Sequence, residues 1–207
     1  MLRLLHALAS HGWVYDRIQD LAGAREVYRR LGRHLADTDS SYWLLDVGGG
    51  TGRTRSLLSG NARYVCMDME EPKLAQLRRT SNVGSPVLGD AVRMPFQTAS
   101  VDVVVCVDVS HHLTDHELDA ALSEVQRVLR PTGRLIFLDA VLNDRWVGRT
   151  LWSLDRGSRP RRSTDLRAAV SRGFHIRDEE QFRLFHEYLL LVSQPLPSRS
   201  LTAPSII

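Results

Sequence analysis

A chain of 207 residues with 43% hydrophobic and 25% charged residues has the size and composition of one globular domain with a sizeable core. Its net charge of +3 argues against a dedicated nucleic-acid-binding protein. No apolar run approaches the roughly 20 residues that span a bilayer, which predicts no membrane insertion. The apolar N-terminus, MLRLLHALASHGW, lacks a clear cleavage site, so we expect a helix there rather than a signal peptide.

The first half of the chain alternates between helical and extended patterns. Apolar residues recur at helical spacing in QDLAGAREVYRRLGRHL, and the apolar run YWLLDV that follows is typical of a strand. After a glycine-rich loop, RTRSLLS predicts a helix, RYVCMD a second strand and EPKLAQLRR a second long helix. SPVLGD predicts a short third strand.

The second half continues this alternation. VDVVVCVDV predicts a fourth strand buried on both faces, because its valines are nearly continuous. Thr114 and Glu117 have the spacing of a capping box, which opens a helix that stops at RPTG. RLIFLDAV predicts a fifth strand, and FHIRDEEQFRL and FHEYLLLVSQ predict a hairpin. The pattern predicts an α/β, Rossmann-like doubly wound sheet, whose ligands lie at the carboxyl ends of its strands.

A glycine-rich loop follows the first predicted strand in LLDVGGGTGR, with glycines at 48, 49, 50 and 52. Arginines stand where the dinucleotide fingerprint G-x-G-x-x-G needs its third glycine, and the loop lacks the Gly-Lys of a P-loop. The remaining pattern, G-x-G-x-G, lets the backbone approach a ligand without the usual equipment for phosphate. A tight turn that binds nothing is the alternative.

Two acidic residues follow the next two strands. Asp68 ends the second strand, where a carboxylate can accept hydrogen bonds from both ribose hydroxyls, or can merely cap the next helix. Asp90, in GDAVRMPF, follows the third strand and can accept from an exocyclic amine beside the Ala91 backbone, or can belong to a polar loop. A ribose and an adenine without an obligatory phosphate site predict S-adenosylmethionine.

Five segments carry a family resemblance: LLDVGGGTGR, VCMDMEEPKL, GDAVRMPF, VDVVVCVDVSHHL and LRPTGRLIFLDAV. In this order and spacing, over residues 42–141, the chain resembles the class I S-adenosylmethionine-dependent methyltransferases. Within them it is similar to the ubiquinone/menaquinone-biosynthesis type and its small-molecule relatives. The resemblance implies transfer of a methyl group that leaves S-adenosylhomocysteine, and a sheet in the order 3-2-1-4-5-7-6 with the last strand antiparallel.

The resemblance also implies roles for single residues. Asp46 and the glycines would line the methionine end of the cofactor, and Val107 and His112 would border it. Asp68 would hold the ribose, Met69 would pack on the adenine, and Asp90 with Ala91 would read the adenine edge. The cofactor-binding residues expected are Tyr15, Asp46, Gly48, Gly49, Gly50, Gly52, Asp68, Met69, Asp90, Ala91, Val107 and His112.

Histidines in DVSHHLTDH follow the fourth strand, beside the expected site. Correct placement of a nucleophile against the activated methyl can lower the barrier by roughly 7–11 kcal/mol, so a base is not obligatory. His111 and His112 are the candidate catalytic bases, because imidazole titrates near neutrality, or they only shape the loop. His112 and His116 lack the third ligand of a zinc site, and we expect no metal.

The expected organisation is a single domain over residues 1–194 with a flexible tail over 195–207. Residues 1–35 would form a helical lid in which Tyr15 contacts cofactor or substrate, or packs in the core. Residues 42–141 would bind the cofactor, and residues 143–167 would form a wall of the substrate pocket. This last segment holds several arginines, which could attract an anionic acceptor or form a solvated loop.

The predicted strand order separates the two cysteines, because strand one lies between Cys66 on strand two and Cys106 on strand four. Their backbones should be about 9–10 Å apart at ~4.8 Å per strand, which is too far for a disulfide. Free thiols favour a cytoplasmic location. We expect a monomer or homodimer that acts on a small-molecule acceptor. A nucleic-acid methyltransferase, whose [DNSH]-P-P-[YF] pattern is absent, and a non-catalytic S-adenosylmethionine-binding protein are the alternatives.

Overall fold

The computed structural model describes residues 23–35, 41–80, 84–142, 152 and 159–197. The strands in these residues are β1 Tyr42–Val47, β2 Ala62–Asp68, β3 Ser85–Leu88, β4 Val101–Val107, β5 Leu129–Val141, β6 Phe174–Arg183 and β7 Glu187–Pro195. The α-helices are α1 Ala24–Arg33, α2 Glu71–Thr80, α3 Asp115–Val128 and α4 Ser163–Ser171. Short 3₁₀ helices span Arg53–Leu57 and Ser110–His112.

The strands form one seven-stranded sheet in the order β3-β2-β1-β4-β5-β7-β6. Strand β7 runs antiparallel to both of its neighbours, and the pairs from β3 to β5 are parallel. The predicted fold class and strand order are therefore confirmed. Because β1 is central and its neighbours are parallel to it, the carboxyl ends of β2, β1 and β4 meet at one edge of the sheet.

Each face of the sheet carries its own core, as the near-continuous apolar strands require. On one face, Leu45 and Val47 pack with Leu118 of α3 and Leu166 of α4. On the other face, residues such as Leu44 pack with α1 and α2. Successive side chains of β1 thus point to opposite cores, which holds this strand, and the loop that leaves it, between two packed layers.

The capping box predicted for α3 is present. The Thr114 Oγ1 atom accepts a hydrogen bond from the Glu117 backbone N–H at 3.2 Å, and the Glu117 carboxylate accepts from the Thr114 N–H at 2.7 Å. This reciprocal pair starts α3 at Asp115, directly after the loop that leaves β4. The predicted hairpin near the C-terminus is also confirmed, as β6 and β7.

Some predicted boundaries differ from the structure. RTRSLLS forms only the 3₁₀ helix Arg53–Leu57, because the backbone is already extended at Leu58, with φ −93° and ψ 142°. RPTG does not separate helix from strand, since β5 already begins at Leu129. A Cβ on Gly133 of β5 would lie 2.9 Å from the carbonyl oxygens of Arg130 and Asp102. This glycine therefore lets β4 and β5 pair closely.

The cysteines and the helices match two further expectations. Cys66 and Cys106 are free and buried, and β1 lies between their strands. Among the described helices, none is long and apolar enough to cross a membrane. Helix α1 begins at Ala24, after Gly23 in the left-handed conformation at φ +94°. The helix expected at the N-terminus lies outside the described residues. Of the tail predicted over 195–207, Pro195 is the last residue of β7, and residues 198–207 lie outside the described residues.

Candidate cofactor and active site

A pocket of about 370 Å³ opens where the carboxyl ends of β1 to β4 meet. Most of the residues predicted to bind the cofactor line it, although they come from four separate segments of the chain. These are Gly48, Gly49, Gly50, Asp68, Met69, Asp90, Ala91, Val107 and His112. The topology therefore brings the sequence motifs together at the sheet edge where the doubly wound fold places ligands.

The glycine loop is tied to the neighbouring strand and has no space for side chains. The backbone N–H groups of Gly48 and Gly49 donate to the Met67 carbonyl oxygen at 2.7 and 3.2 Å. Gly48 has φ +68°, and a Cβ there would lie 2.3 Å from Cγ2 of Val109. The loop can adopt this conformation only with glycine at this position, which leaves the backbone directly exposed to the pocket.

Asp68 joins the glycine loop to the end of β2. Its Oδ2 accepts a hydrogen bond from the Gly50 N–H and its Oδ1 accepts one from the Glu70 N–H, both at 2.8 Å. Each carboxylate oxygen has a second lone pair that can accept another donor. The carboxylate is thus held in place by backbone groups, yet it can still receive two hydroxyl groups.

The end of β3 provides a polar edge beside an exposed apolar side chain. The Asp90 Oδ1 accepts from the Val92 N–H at 3.0 Å, which orients this carboxylate next to Ala91. Met69 also lines the pocket, and 67% of its surface is exposed. A flat ring can therefore lie against Met69 while its edge meets Asp90.

Asp46 does not line the pocket but lies beneath the loop, with 1% of its surface exposed. It accepts a hydrogen bond from the Tyr64 hydroxyl at 2.7 Å, and a Cβ on Gly49 would lie 2.6 Å from its Oδ2. Burial raises the pKa of this carboxyl to about 6, although bonds from Tyr64 and Thr54 lower it. Asp46 therefore supports the loop from below. Gly52 likewise does not line the pocket, and its φ of +80° starts the 3₁₀ helix.

The two histidines after β4 occupy different environments. His112 is exposed and lines the pocket, whereas His111 is buried and does not line it. The Nδ1 of His111 lies 2.6 Å from Oδ1 of Asp139, and the two imidazole rings are 4.2 Å apart. The ring of Trp152 packs edge-on against His111 at 5.4 Å.

Asp139 is a fully buried carboxylate at the end of β5. It accepts from the Ser110 N–H at 2.7 Å, the Ser110 Oγ at 2.5 Å and the His111 N–H at 3.2 Å, in addition to the His111 ring. Burial raises the pKa of Asp139, but the charge of His111 and these hydrogen bonds outweigh it, so the net shift is downward. An ionised carboxylate can only accept hydrogen bonds, so in that state of Asp139 the Nδ1 of His111 is the donor of the bond between them.

The same loop is anchored from its other side by an arginine of the predicted substrate wall. Arg161 donates to the carbonyl oxygens of Ser110 and Leu113, both at 2.7 Å, and its side chain is 10% exposed. Arg167 pairs with Glu179. At these two positions the arginines bind protein groups rather than form a solvated loop. Arg156 and most of residues 143–158 lie outside the described residues, as does Tyr15.

Asp108, His111 and Asp139 offer potential metal-ligand atoms within 4.8 Å of one another. Asp139 already accepts four hydrogen bonds, one of which engages Nδ1 of His111. A cation here would have to displace this network of bonds. The donor set therefore fits a hydrogen-bonded support for the loop better than a metal centre.

Sequence reasoning missed several residues of the site. Tyr28 was assigned only to a helix face, and Arg53 was noted only for failing a glycine motif, yet both line the pocket with Lys73 and Asp108. Asp139 carried no signal, because it stands within an apolar strand 28 residues after its partner His111. Asp108 was not missed, because its position in DVSHHLTDH, directly after the fourth strand, already indicated that it lies beside the site.

Residues 45–137 match the family described as "Methyltransferase domain". This segment is similar to the domains of known methyltransferases. The ubiquinone/menaquinone biosynthesis C-methyltransferase UbiE of Rubrivivax gelatinosus is 30% identical to the chain over 142 residues, which are 66% of this chain and 54% of that protein. The resemblance to class I methyltransferases that the sequence motifs indicated is thereby confirmed. The chain spans between about half and two thirds of the length of the curated relatives it matches.

The fold of the chain recurs in solved structures. The PH0226 protein of Pyrococcus horikoshii aligns with a TM-score of 0.71 at 23% identity, over 86% of this chain and 92% of that one. Magnesium protoporphyrin IX methyltransferase of Synechocystis, solved with bound SAH, aligns with a TM-score of 0.69 at 18% identity, over 84% of each chain. At these identities the likeness concerns the fold.

Proposed function

We propose that the chain transfers the methyl group of S-adenosylmethionine to a small-molecule acceptor. The observation that carries this proposal is the Asp68 carboxylate, held by the Gly50 and Glu70 N–H groups at the mouth of a glycine-lined pocket. A ribose presents two adjacent hydroxyls, and this carboxylate can accept a hydrogen bond from each of them. No P-loop or dinucleotide fingerprint accompanies it, so the ligand is an adenosine without a tightly held phosphate.

The order of the strands sets the orientation of the cofactor. The adenine lies by Met69, Asp90 and Ala91 at the β3 end, and the ribose lies on Asp68 at the end of β2. The methionine portion then runs along the glycine loop of β1 towards Val107 and His112 on β4. Asp46 takes part from beneath, because it supports Gly49 and does not reach the ligand.

The reaction is an in-line displacement. The acceptor atom forms a bond to the methyl carbon, the carbon–sulfur bond breaks, and its electron pair returns to sulfur to give neutral S-adenosylhomocysteine. The pocket contributes by fixing the sulfonium end of the cofactor, and the acceptor approaches from the loop that follows β4. Positioning of this kind can supply roughly 7–11 kcal/mol of barrier lowering, and no metal is required.

His111 is the stronger of the two candidate bases. The ionised Asp139 carboxylate orients its ring, holds the proton on Nδ1 and stabilises the imidazolium that forms when Nε2 accepts a proton. His112 lines the pocket and borders the methyl group. An acceptor that must lose a proton would give it to one of these two histidines while its nucleophilic atom attacks the methyl carbon: to His112 at the pocket wall, or to His111, which Asp139 orients but which lies behind that wall.

The acceptor side of the site is completed by segments beyond the methyltransferase motifs. The proposed lid, residues 1–35 with Tyr15, and the proposed substrate wall, residues 143–167, would exclude water from the acceptor; most of both segments lies outside the described residues. A small acceptor agrees with the relatives, one of which is named for ubiquinone/menaquinone biosynthesis. The enzyme works as a monomer or homodimer in the cytoplasm, where its two thiols stay reduced.

Turnover with methyl-labelled S-adenosylmethionine and a panel of phenols, amines and carbon acids tests this function. We expect label to appear in at least one acceptor, and replacement of His111 by Ala to lower the maximal rate about 100-fold while cofactor affinity stays nearly unchanged. Cofactor binding without transfer to any acceptor would favour the non-catalytic alternative. A rate that His111→Ala leaves intact would restrict His111 to shaping the loop.

A further inference from the structure

An arginine and a tyrosine meet at the β1 end of the cofactor pocket. Arg53 is the first residue of the 3₁₀ helix that follows the glycine loop, and Tyr28 belongs to α1. The Cζ atom of Arg53 lies 5.5 Å from the centre of the Tyr28 ring, and both residues line the pocket. This distance permits a cation–π contact, which restricts where the guanidinium can go.

The local backbone explains why Arg53 reaches the pocket. Gly52 has φ +80°, and a Cβ there would lie 2.6 Å from Cδ1 of Leu77, so the chain can turn here only with glycine. The turn starts the 3₁₀ helix with Arg53 on the pocket side. Helix α1 packs on this helix, since a Cβ on Gly32 would contact Leu57 at 3.6 Å, and it carries Tyr28 to the guanidinium.

Arg53 and Lys73 are the arginine and the lysine among the described residues that line the pocket. Lys73 lies near Asp68, the carboxylate proposed to hold the ribose. The Nζ of Lys73 donates to Glu70 at 2.5 Å. A Cβ on Gly50 would be 3.6 Å from Lys73 Cδ and 3.9 Å from Asp68 Oδ2. Lys73 is thus paired with Glu70 beside Asp68, whereas Arg53 directly follows the glycine loop, where the proposed function places the methionine portion.

The methionine portion of the cofactor carries an ammonium and a carboxylate. We infer that Arg53, held against Tyr28, binds the α-carboxylate of the methionine portion. A planar guanidinium can hold a carboxylate through two parallel hydrogen bonds, which gives direction as well as affinity. This inference rests on the proposed function and assigns the residues that select the amino-acid end of the ligand.

Calorimetric titration with S-adenosylmethionine and with its decarboxylated analogue isolates the carboxylate, because the two ligands share all other groups. We expect the wild type to bind S-adenosylmethionine at least tenfold more tightly than the analogue. Arg53→Gln should abolish this preference by weakening S-adenosylmethionine alone. The unchanged affinity of the variant for the analogue would also show that the variant is folded.

Two control variants sharpen the test. Arg55→Gln removes an arginine of the same 3₁₀ helix that does not line the pocket, and it should keep the full preference. Lys73→Gln, at the ribose end, should weaken both ligands equally if it has an effect. Full preference in Arg53→Gln, or an equal loss for both ligands, would overturn the inference. Failure of the wild type to bind either ligand would instead overturn the proposed function.

Discussion

The two halves of the site are built by different means. On the side of β1 to β3, backbone groups do most of the work: glycines expose the chain, and single carboxylates are held by nearby N–H groups, such as Asp68 by Gly50. After β4, the loop Ser110–His112 depends on buried side chains from distant segments, namely Asp139 and Arg161. Changes on the first side should therefore act on cofactor binding, and changes on the second side on the stability of the loop.

The largest effect is expected from Asp139→Ala. It leaves the Nδ1 of His111 and two donors of Ser110 buried without their acceptor, and loss of one partner of a buried ion pair costs about 3–5 kcal/mol. Chemical denaturation should report a decrease of this size in the free energy of unfolding. Asp178→Ala is the control, because its carboxylate is 62% exposed, and it should change stability by less than about 0.5 kcal/mol. Equal stability of the two variants would contradict the anchoring role of Asp139.

Gly48→Ala should have the next largest effect, because it alters the glycine loop that follows β1. A left-handed conformation costs an L-residue about 1–2 kcal/mol, and contact with Val109 at 2.3 Å adds about 1–3 kcal/mol for overpacking. We expect weaker binding of S-adenosylhomocysteine together with a lower melting temperature. Gly60→Ala has open space around its Cβ position and should leave both quantities unchanged. Wild-type affinity in Gly48→Ala would show that the loop can adopt another conformation.

Asp46 lies on the β1 to β3 side of the site, but it is buried like the side chains that support the loop after β4. Its pKa makes this burial measurable. Because burial raises its pKa to about 6, the folded state binds its proton more tightly than the unfolded state. The stability that this group contributes is full below about pH 4 and is lost as the pH rises through about 6, a change of about 2–3 kcal/mol.

Asp46→Asn, which cannot titrate, isolates this effect. The free energy of unfolding of the wild type relative to the variant should fall between about pH 4 and 6 and stay constant from pH 7 to 8. Tyr64→Phe removes the hydroxyl donor but keeps the ring, so it should raise the pKa of Asp46. The fall in the free energy of unfolding should then extend to higher pH. A pH-independent difference between wild type and Asp46→Asn would contradict burial as the cause of the shift.

The same contrast, between local backbone groups and distant side chains, explains which features could be predicted from the sequence. Strand order, the glycine loop and the positions of Asp68 and Asp90 could be inferred, because they depend on local spacing and on the topology of a parallel sheet. The pairing of His111 with Asp139 and of Arg161 with the Ser110 carbonyl could not, since these partners lie 28 and 51 residues apart. The short length of the 3₁₀ helix at Arg53 was also missed, because the residue types of RTRSLLS do not indicate that the backbone becomes extended at Leu58.

Binding of the cofactor is the most direct test of the account. Calorimetric titration of the wild type should show one S-adenosylhomocysteine per chain, with NAD and ATP bound far more weakly. Asp68→Ala should lose about 1–3 kcal/mol of this affinity, since two hydrogen bonds to a charged group are removed. Asp102 lies at the amino end of β4, at the opposite edge of the sheet from the pocket, so Asp102→Ala should not change the affinity. Equal or tighter binding of NAD, or an unchanged dissociation constant in Asp68→Ala, would contradict the assignment of this pocket to S-adenosylmethionine.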